Sequence, residues 1–367
     1  MIVWCTGISG SGRSDYLREV QAYCAALGVD CTVYEFGDLL AKVQDETRIA
    51  DDATTLLDGN PEVLRAHRMA AFDSLLRQLR QRPKTSLSFV STHACFMRRG
   101  RLQPGMDMAP LKRLLEPMVD MYVTVLDGCL QVYARQQHHA EWRGHLSLAE
   151  IAMWRDFETS LTQMLADYES KPFYLMARQE PAEALYRLCM QSHAKKLYLA
   201  YPITAMLKEN PQLFDRARWM ADQLRESGFV VFNPLSVEDI GEAAGGYDID
   251  VPVPEEQFAA VRPYIDSQII GRDFQLIDQS DMVVVYYPTD KVSPGVLSEM
   301  MHARDRRIPV YLCGFPGAIS PFLGILYQEA FETPNQLIER LSSLYAGNER
   351  HSEATAIPPA GTISVHE

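Results

Sequence analysis

Two acidic residues in the C-terminal half, Asp273 and Glu299, have surroundings that suit carboxylate chemistry. Glu299 lies about one turn into an apolar helical segment that follows a predicted strand at 281–287 and the letters SPG. Ser293 suits the N-cap of that helix, and Pro294 suits its first position. A carboxylate there can simply interact with the helix dipole at an exposed position. The alternative is a catalytic pair, because two carboxyl groups in different environments can divide nucleophilic and acid roles.

A second group of residues, GISGSGRS at 7–14, fits the phosphate-loop spacing G-x-x-x-x-G-K-[ST] at every position but one. Arg13 stands where that pattern has lysine. A glycine-rich turn between a strand and a helix exposes backbone N–H groups to an anion, and the helix N-terminus adds positive potential. A turn without a ligand is the alternative. The residues of this loop that are predicted to bind a nucleotide are Gly7, Gly10, Gly12, Arg13 and Ser14, with Ser14 also as a Mg²⁺ ligand.

Both groups lie where predicted strands end and predicted helices begin. Strands that alternate with helices indicate an α/β protein with mostly parallel sheets covered on both faces. A polar break at 192–196 separates a predicted domain at 1–192 from one at 195–346, and the polar tail at 347–367 is expected to be disordered. The acidic, glycine-rich segment 241–257 is expected to be a lid or a disordered loop. The predicted strands lie at 2–6, 31–36, 87–92, 121–126, 173–177, 197–201, 229–232, 281–287 and 308–314.

The bulk composition restricts the possible functions. The chain has 367 residues and 47% hydrophobic residues, which is typical of a globular protein with two domains. Its formal net charge of −13 argues against general nucleic-acid binding, which needs a basic face. No apolar run is long enough to span a bilayer, and seven scattered cysteines without a C-x-x-C pair indicate reduced thiols. We therefore expect a cytoplasmic protein that acts on small molecules, without membrane attachment or zinc.

The N-terminal half resembles the nucleoside-monophosphate kinases of the archaeal adenylate kinase type. YEFGDLL at 34–40 matches a family motif F-G-D/T, and STHACFMRRGRLQPG at 91–105 matches a D-T-H motif followed by a basic stretch and P-G. The resemblance implies a P-loop kinase-like parallel sheet that binds ATP or a related nucleotide with Mg²⁺. Arg13 replaces the lysine and Ser91 replaces the aspartate that organises the magnesium, so slow phosphoryl transfer is predicted. The further residues implied to line the nucleotide sites are Asp38, Thr92, His93, Arg101 and Arg135.

The C-terminal half resembles the nucleoside 2-deoxyribosyltransferases and their relatives, the nucleoside-monophosphate N-glycosidases. LYLAYPI at 197–203 matches the first strand of that family, and SPGVLSEMMHA at 293–303 matches the pattern [D/S]-x-G-x-x-x-E-x-x-x-A. Between them, Asp273 and the letters QSD, which end at Asp281, match a helix that leads into a strand. The resemblance implies a Rossmann-like, flavodoxin-like sheet after the kinase-like one.

The same resemblance assigns roles to individual residues. Glu299 would attack the anomeric carbon, Asp273 would protonate or orient the leaving base, and Tyr198 would hydrogen-bond Glu299. In the transferases, an aspartate at the position of Ser293 accepts a hydrogen bond from the 5′-hydroxyl of free nucleosides. That carboxylate would repel a 5′-phosphate, so a serine at this position implies nucleoside 5′-monophosphates as substrates. A homodimer or a larger homo-oligomer is also implied. The residues implied to bind the substrate are Ser293, Gly295 and Asp281.

The sequence therefore predicts an enzyme that hydrolyses or exchanges the N-glycosidic bond of a (deoxy)nucleoside 5′-monophosphate. Its N-terminal domain is predicted to bind a nucleotide, with weak kinase activity or none. Two alternatives stay open at this point. The first is an active nucleoside or nucleotide kinase with an accessory glycosidase-like domain. The second is a nucleotide-sensing effector that cleaves NAD.

Overall fold

The protein folds into two five-stranded parallel sheets and a two-stranded antiparallel hairpin. The predicted α/β class with two parallel sheets is thus confirmed. Each five-stranded sheet lies within one of the two predicted domains, 1–192 and 195–346, whose boundary stays a prediction. In the described part of the chain, no helix combines the length and the apolar composition that a bilayer crossing requires. The computed structural model describes residues 1–47, 60–98, 100–105, 118–139, 142–210, 212–237, 255–317 and 320–345.

The first sheet and the hairpin are built from β1 Ile2–Thr6, β2 Cys31–Glu35, β3 Leu87–Ser91, β4 Cys95–Arg98, β5 Arg101–Pro104, β6 Met121–Leu126 and β7 Phe173–Ala177. The sheet has the order β2-β3-β1-β6-β7, while β4 and β5 form the hairpin. In the central strand, Val3 is paired with Phe89 on one side and with Met121 on the other. Every residue of β1 is buried, and this explains why the strand is a continuous apolar run.

Helices cover both faces of this sheet: α1 Arg13–Ala26, α2 Phe36–Thr47, α3 Pro61–Gln81, α4 Cys129–His138, α5 Leu148–Glu169 and α6 Ala182–Met190. The longest of these, α5, begins with a capping box in which the Ser147 hydroxyl accepts from the Glu150 N–H and the Glu150 carboxylate accepts from the Ser147 N–H. It ends at Ser170, which has left-handed backbone angles. Both ends of α5 are therefore specified by local hydrogen bonding.

The second sheet contains β8 Lys196–Ala200, β9 Val230–Phe232, β10 Met282–Tyr286, β11 Val310–Cys313 and β12 Glu329–Phe331. Its helical segments are α7 Ile203–Glu209, α8 Gln212–Glu226, a 3₁₀ turn Pro234–Ser236, α9 Glu255–Asp278, α10 Pro294–Asp305, α11 Pro321–Gly324 and α12 Pro334–Tyr345. The strand order is β12-β11-β10-β8-β9. Counted from β8, this is the 2-1-3-4-5 order of flavodoxin-like sheets. The predicted flavodoxin-like architecture is therefore confirmed.

The structure contains elements that the apolar periodicity did not indicate. All nine predicted strands are present, and β12 and the β4–β5 hairpin are additional. The helices α2, α7 and α11 were also not predicted, because they are short or begin directly after a strand. The tail at 347–367 and most of the predicted lid lie outside the described residues. The lid's last residues, 255–257, form the first turn of α9.

The two halves meet through side chains that bond to backbone groups of the other half. The Gln279 side chain accepts from the Leu175 N–H and donates to the Leu175 carbonyl, both at 2.9 Å, and so pairs with the edge strand β7. The buried carboxylate of Glu180 accepts from the Asn233 N–H at 3.0 Å and from the Arg225 guanidinium at 2.7 Å. These bonds fix the second sheet against the first.

Candidate functional site

The carboxylates of the C-terminal half lie where β8 and β10 are neighbours. Tyr198 of β8 is in register with Val283 of β10, and α10 begins after the loop that follows β10. In the 2-1-3-4-5 order this is the point at which the chain connections diverge to opposite sides. Open α/β sheets form ligand crevices at such a point.

Glu299 is held by a buried tyrosine. The Tyr198 hydroxyl donates to Glu299 Oε1 at 2.8 Å. Tyr198 is completely buried, and burial together with the charges of Asp273 and Glu299 raises its pKa well above 10. Its hydroxyl therefore keeps its proton and is a fixed donor to the carboxylate. The sequence prediction that Tyr198 and Glu299 are partners agrees with this geometry.

Asp273 is held by its neighbour Arg272, which the sequence analysis did not single out. Nε and Nη2 of Arg272 both donate to Asp273 Oδ1, at 3.2 and 3.1 Å. Nη1 of the same buried guanidinium donates to the Val237 carbonyl at 2.7 Å. The guanidinium thus fixes the orientation of the Asp273 carboxylate. In the sequence, only the arginine directly before Asp273 indicated this pairing.

The two carboxyl groups influence each other's ionisation. Burial and the negative charge of Asp273 raise the pKa of Glu299 from 4.5 to about 8, against the opposing effects of the Tyr198 hydrogen bond and the Arg272 charge. A Glu299 nucleophile must therefore lose a proton that its surroundings favour before it can react.

The helices that carry these carboxyl groups, α9 and α10, contact each other close to Asp273 and Glu299. The rings of Phe274 on α9 and His302 on α10 stack at 4.2 Å between centroids, with an interplanar angle of 1°. His302 Nε2 lies 2.7 Å from Asp278 Oδ1, and Arg306 lies 3.2 Å from the other Asp278 oxygen. These contacts fix the relative position of α9 and α10, and hence of Asp273 and Glu299.

Ser293 and Gly295 lie at the beginning of α10, as predicted. The Ser293 hydroxyl caps the helix by accepting from the Val296 N–H at 3.4 Å, and the Ser293 N–H donates to the Tyr287 hydroxyl at 2.8 Å. Among the described residues, a Cβ added at Gly295 would meet only the Ser293 hydroxyl, at 4.0 Å. The described part of the chain therefore leaves room beside Gly295.

Asp281 lies elsewhere. Its carboxylate accepts from the Lys196 N–H at 2.8 Å and lies 3.1 Å from Lys196 Nζ. Both residues are at the N-terminal ends of β10 and β8, whereas α10 follows the opposite end of β10. The structure therefore separates Asp281 from Tyr198 and Glu299, and its carboxylate joins the beginnings of two strands instead.

In the N-terminal half, the glycine-rich loop forms one wall of a cavity of about 470 Å³. Gly10 and Gly12 have left-handed φ angles of +88° and +73°, which favour glycine. A second cavity of about 230 Å³ adjoins the first, and Arg13, Ser14 and His93 line both. The loop has the backbone conformation and the open space that a phosphate cradle needs.

The Arg13 side chain turns inward beneath this loop. Its Nη1 donates to the Gly7 carbonyl at 2.6 Å and to the Thr92 carbonyl, and Nε donates to the Ser91 hydroxyl at 2.9 Å. The residue is buried. Although Arg13 borders both cavities, its Nε and Nη1 donors are directed at the protein. We conclude that it braces the loop, whereas the lysine of the usual pattern contacts phosphate directly.

Glu158 of α5 completes this support, although no sequence motif indicated this role. Its fully buried carboxylate accepts from the Gly7, Ala94 and Cys95 N–H groups at 3.1, 2.8 and 2.8 Å. Burial raises its pKa, and these hydrogen bonds and the charge of Arg13 oppose that effect. One carboxylate therefore ties the loop to the start of the β4–β5 hairpin.

Side chains from α4 bind the outer part of the loop. Arg135 donates to the Gly10 carbonyl at 2.6 Å and pairs with the buried carboxylate of Asp127, and Gln136 donates to the Ser9 carbonyl at 2.6 Å. Arg135, which was predicted to bind a nucleotide, thus lines the larger cavity while it also shapes the loop.

The carboxylate of Glu35 lies beside Ser14. No sequence motif had assigned Glu35 to the loop. The Ser14 hydroxyl donates to Glu35 Oε2 at 3.0 Å, at the end of β2. The other oxygen, Glu35 Oε1, is buried without a hydrogen bond from the described residues and lies 3.9 Å from Arg18 Nη2. An acidic oxygen next to a loop hydroxyl is the donor chemistry that Mg²⁺ prefers.

The remaining predicted residues of this half are divided between the second cavity and the surface. Asp38, Thr92 and His93 line the second cavity, together with the rings of Phe36 and Phe96. Burial and the charge of Arg13 hold the pKa of His93 well below 6.5, so its imidazole is neutral at neutral pH. Arg101 is exposed on β5 and is not among the residues that line either cavity.

Comparison with known proteins gives similarity at the level of solved structures alone. No family model matches the chain, and the curated proteins yield no match. A 2-deoxyribosyltransferase of Bacillus psychrosaccharolyticus is 17% identical with a TM-score of 0.28, over 39% of this chain and 90% of that chain. A CMP N-glycosidase of Clostridium botulinum is 19% identical with a TM-score of 0.25, over 41% of this chain and 100% of that chain.

Another solved structure, shikimate kinase of Acinetobacter baumannii in complex with shikimate, is 13% identical with a TM-score of 0.32. That match covers 52% of this chain and 93% of the kinase. The structural neighbours therefore include enzymes of both kinds that the motifs of the two halves resemble. Because the TM-scores are below 0.5, we base the assignment of residues on the geometry of the chain itself.

The raised pKa of Glu299 predicts a pH-dependent stability. Its protonated form contributes stability that is fully present below pH 4.5 and is lost as the pH rises to about 8. Relative to Glu299→Gln, the wild-type protein should therefore lose free energy of unfolding across this range, by no more than ~1.4 kcal/mol per pH unit. Urea unfolding of both proteins at several pH values measures the difference. Parallel stability curves would contradict the raised pKa.

The buried position of Arg13 predicts that lysine is a poor replacement. Arg13→Lys should lower the free energy of unfolding by about 2–3 kcal/mol, because lysine cannot serve the three acceptors around the guanidinium. Arg18→Lys on the same helix is the matched control, since that side chain is 59% exposed. It should change stability by less than about 0.5 kcal/mol. Equal effects of the two substitutions in urea unfolding would show that Arg13 is not a brace.

Proposed function

We propose that the C-terminal half hydrolyses or exchanges the N-glycosidic bond of a (deoxy)nucleoside 5′-monophosphate. The observation that carries this proposal is the arrangement of two carboxyl groups at the switch point of the sheet. Glu299 is oriented by the buried Tyr198 hydroxyl, and Asp273 is oriented by the buried Arg272 guanidinium. A glycosidase that forms a covalent intermediate requires such a pair, one group as nucleophile and the other as acid.

The reaction begins with a proton shift within this pair. A proton resides on Glu299 at rest, and its transfer to Asp273 as the substrate binds leaves a carboxylate nucleophile next to an acid. A Glu299 oxygen then attacks C1′, and the bond from C1′ to the base breaks with its electron pair going to the base nitrogen. Asp273 supplies the proton that neutralises the departing base. In the next step water or a second base attacks C1′ and gives a proton to the Asp273 carboxylate, while the bond from C1′ to the Glu299 oxygen breaks and releases the sugar.

The 5′-phosphate is assigned to the beginning of α10. Ser293 presents a hydroxyl there, the described residues leave room beside Gly295, and the helix N-terminus favours a negative charge. An aspartate at position 293 would repel the phosphate. Monophosphates should therefore react in preference to free nucleosides.

The N-terminal half is proposed to bind ATP or a related nucleotide with Mg²⁺. The loop N–H groups and the 470 Å³ cavity suit the phosphates, and Ser14 with Glu35 would hold the metal ion. When bound, Mg²⁺ neutralises phosphate charge. Phosphoryl transfer should be slow, because Arg13 is directed into the protein and Ser91 offers no carboxylate.

A second candidate function is an active nucleotide kinase. Glu35 favours it, because this carboxylate beside Ser14 can substitute for the aspartate that position 91 lacks. The second cavity, with the rings of Phe36 and Phe96, has room for part of an acceptor. The assay below decides between the two candidates through their products.

Base release is the decisive measurement. The full-length protein is incubated with a panel of nucleosides, their 5′-monophosphates and NAD, with and without ATP, and the products are separated by chromatography. We expect free base from a monophosphate, and no nicotinamide. Glu299→Gln should reduce base release by at least ~10³-fold, since the nucleophile is lost while the shape is kept.

The matched control is Asp305→Asn, which removes an exposed carboxylate at the end of α10, the helix that carries Glu299. It should retain most of the base release. Wild-type rates in Glu299→Gln would overturn the proposal. A nucleoside diphosphate as the main product with ATP would instead favour the kinase.

Nucleotide binding is tested by thermal unfolding. ATP with Mg²⁺ at 100 times Kd should stabilise the wild-type protein by about 2.7 kcal/mol. Glu35→Gln should lose the Mg²⁺-dependent part of this shift, whereas Glu46→Gln, which removes an exposed charge near the end of α2 and lines neither cavity, should keep it. If no nucleotide in the panel shifts the unfolding temperature, the N-terminal half does not bind one.

A further inference from the structure

Helix α5 exposes a row of large apolar side chains. These side chains are between 37% and 66% exposed, although they belong to the longest helix of the first half. Other faces of α5 are buried against the first sheet and the β4–β5 hairpin, through residues such as Leu165 and Trp154. We call the exposed row the α5 stripe; it consists of Met153, Phe157, Leu161, Met164 and Tyr168.

The α5 stripe has the spacing of a helix–helix contact. Its members follow one another at intervals of 4, 4, 3 and 4 residues. At ~100° per residue these positions fall within about 80° of the helix circumference. Apolar residues repeated every three to four positions on one side of a helix form the seam of paired helices. The α5 stripe therefore has the narrow apolar face of a helix–helix contact. The described part of the chain does not cover it.

The stripe is symmetric about the point between Ser160 and Leu161. Met153 and Tyr168 are equally far from this point, and so are Phe157 and Met164. A second α5 that runs antiparallel across it would therefore place Met153 opposite Tyr168 and Phe157 opposite Met164, with the two Leu161 side chains on either side of the symmetry point. A twofold interface requires this property, because the same patch must contact itself.

The charges at the two ends of α5 have the same symmetry. Glu150 in the first turn and Lys171 just after the helix are also equidistant from the centre. Antiparallel pairing brings Glu150 of each copy next to the Lys171 position of the other, so that opposite charges meet at both ends. Acidic residues next to the stripe, Asp156 and Asp167, disfavour an anionic membrane surface as the occupant.

We infer that the α5 stripe is the interface of a homodimer in which two α5 helices pack antiparallel. Five side chains of roughly 150–250 Å² each, at the observed exposure, contribute about 500 Å² per copy. Polar neighbours at the rim bring this toward the ~800 Å² per partner of a standard interface. This dimer is formed by the N-terminal half and does not depend on the proposed glycosidase activity.

The first test measures the oligomeric state of the full-length chain by sedimentation equilibrium. The wild-type protein should be a dimer, and Phe157→Glu should raise the dimer dissociation constant by at least ~30-fold. The matched control is Trp219→Glu on α8, because Trp219 and Phe157 are 40% and 44% exposed. Thermal unfolding of each variant shows that the fold is kept. A wild-type monomer, or equal effects of both substitutions, would overturn the inference.

The second test determines the direction of pairing. Met153→Cys and Tyr168→Cys proteins are oxidised with diamide, separately and as a mixture. Antiparallel packing predicts a disulfide-linked dimer in the mixture alone, and Ser160→Cys should form one by itself. The wild-type chain, whose cysteines are free and mostly buried, is the background control. Cross-linking of Met153→Cys with itself would indicate a parallel pair, and no cross-link in the mixture would reject the α5 stripe as the interface.

Discussion

One buried guanidinium, that of Arg155, determines how the two candidate sites lie relative to each other. It donates to the Asp127 carbonyl at 3.0 Å and to Gln268 Oε1 of α9 at 2.8 Å. The Asp127 carboxylate pairs with Arg135, which in turn holds the Gly10 carbonyl. Gln268 lies about one turn before Arg272 on α9. A continuous series of hydrogen bonds and one helix therefore joins the glycine-rich loop to the carboxyl pair.

Both sites use buried charge in the same way. A charge that is removed from water destabilises the protein unless several hydrogen bonds or an opposite charge compensate for it. Glu158 is compensated by three backbone N–H groups, and Arg13 by two carbonyls and a hydroxyl. Glu299 is compensated by a hydrogen bond from Tyr198 and by the charge of Arg272, against which burial and the charge of Asp273 raise its pKa to about 8. Unlike the other two groups, it has a like charge beside it, and it is the group to which the proposed chemistry assigns the reaction.

The sequence predicted what depends on local pattern. The apolar runs located the parallel strands, and the motifs located the loop at 7–14 and the pair of Tyr198 and Glu299. It did not predict side-chain direction, because the inward turn of Arg13 depends on carbonyl groups that come from distant segments. Arg272, Glu35 and Glu158 were missed for the same reason: their partners are set by packing. Asp281 was assigned to the site from a motif. In the structure it lies at the beginning of β10, whereas the helix that carries Glu299 follows the end of that strand.

The amide of Gln279 has a consequence for the integrity of the whole chain. It occupies the N–H and carbonyl of Leu175, which belong to the outermost strand of the first sheet. Open strand edges are templates on which other chains add by backbone pairing. In this protein a side chain from the second half ends the first sheet in the manner of a short additional strand. Covalent fusion of the halves thus protects the first sheet against edge-to-edge association, a benefit that separate expression of residues 1–192 would remove.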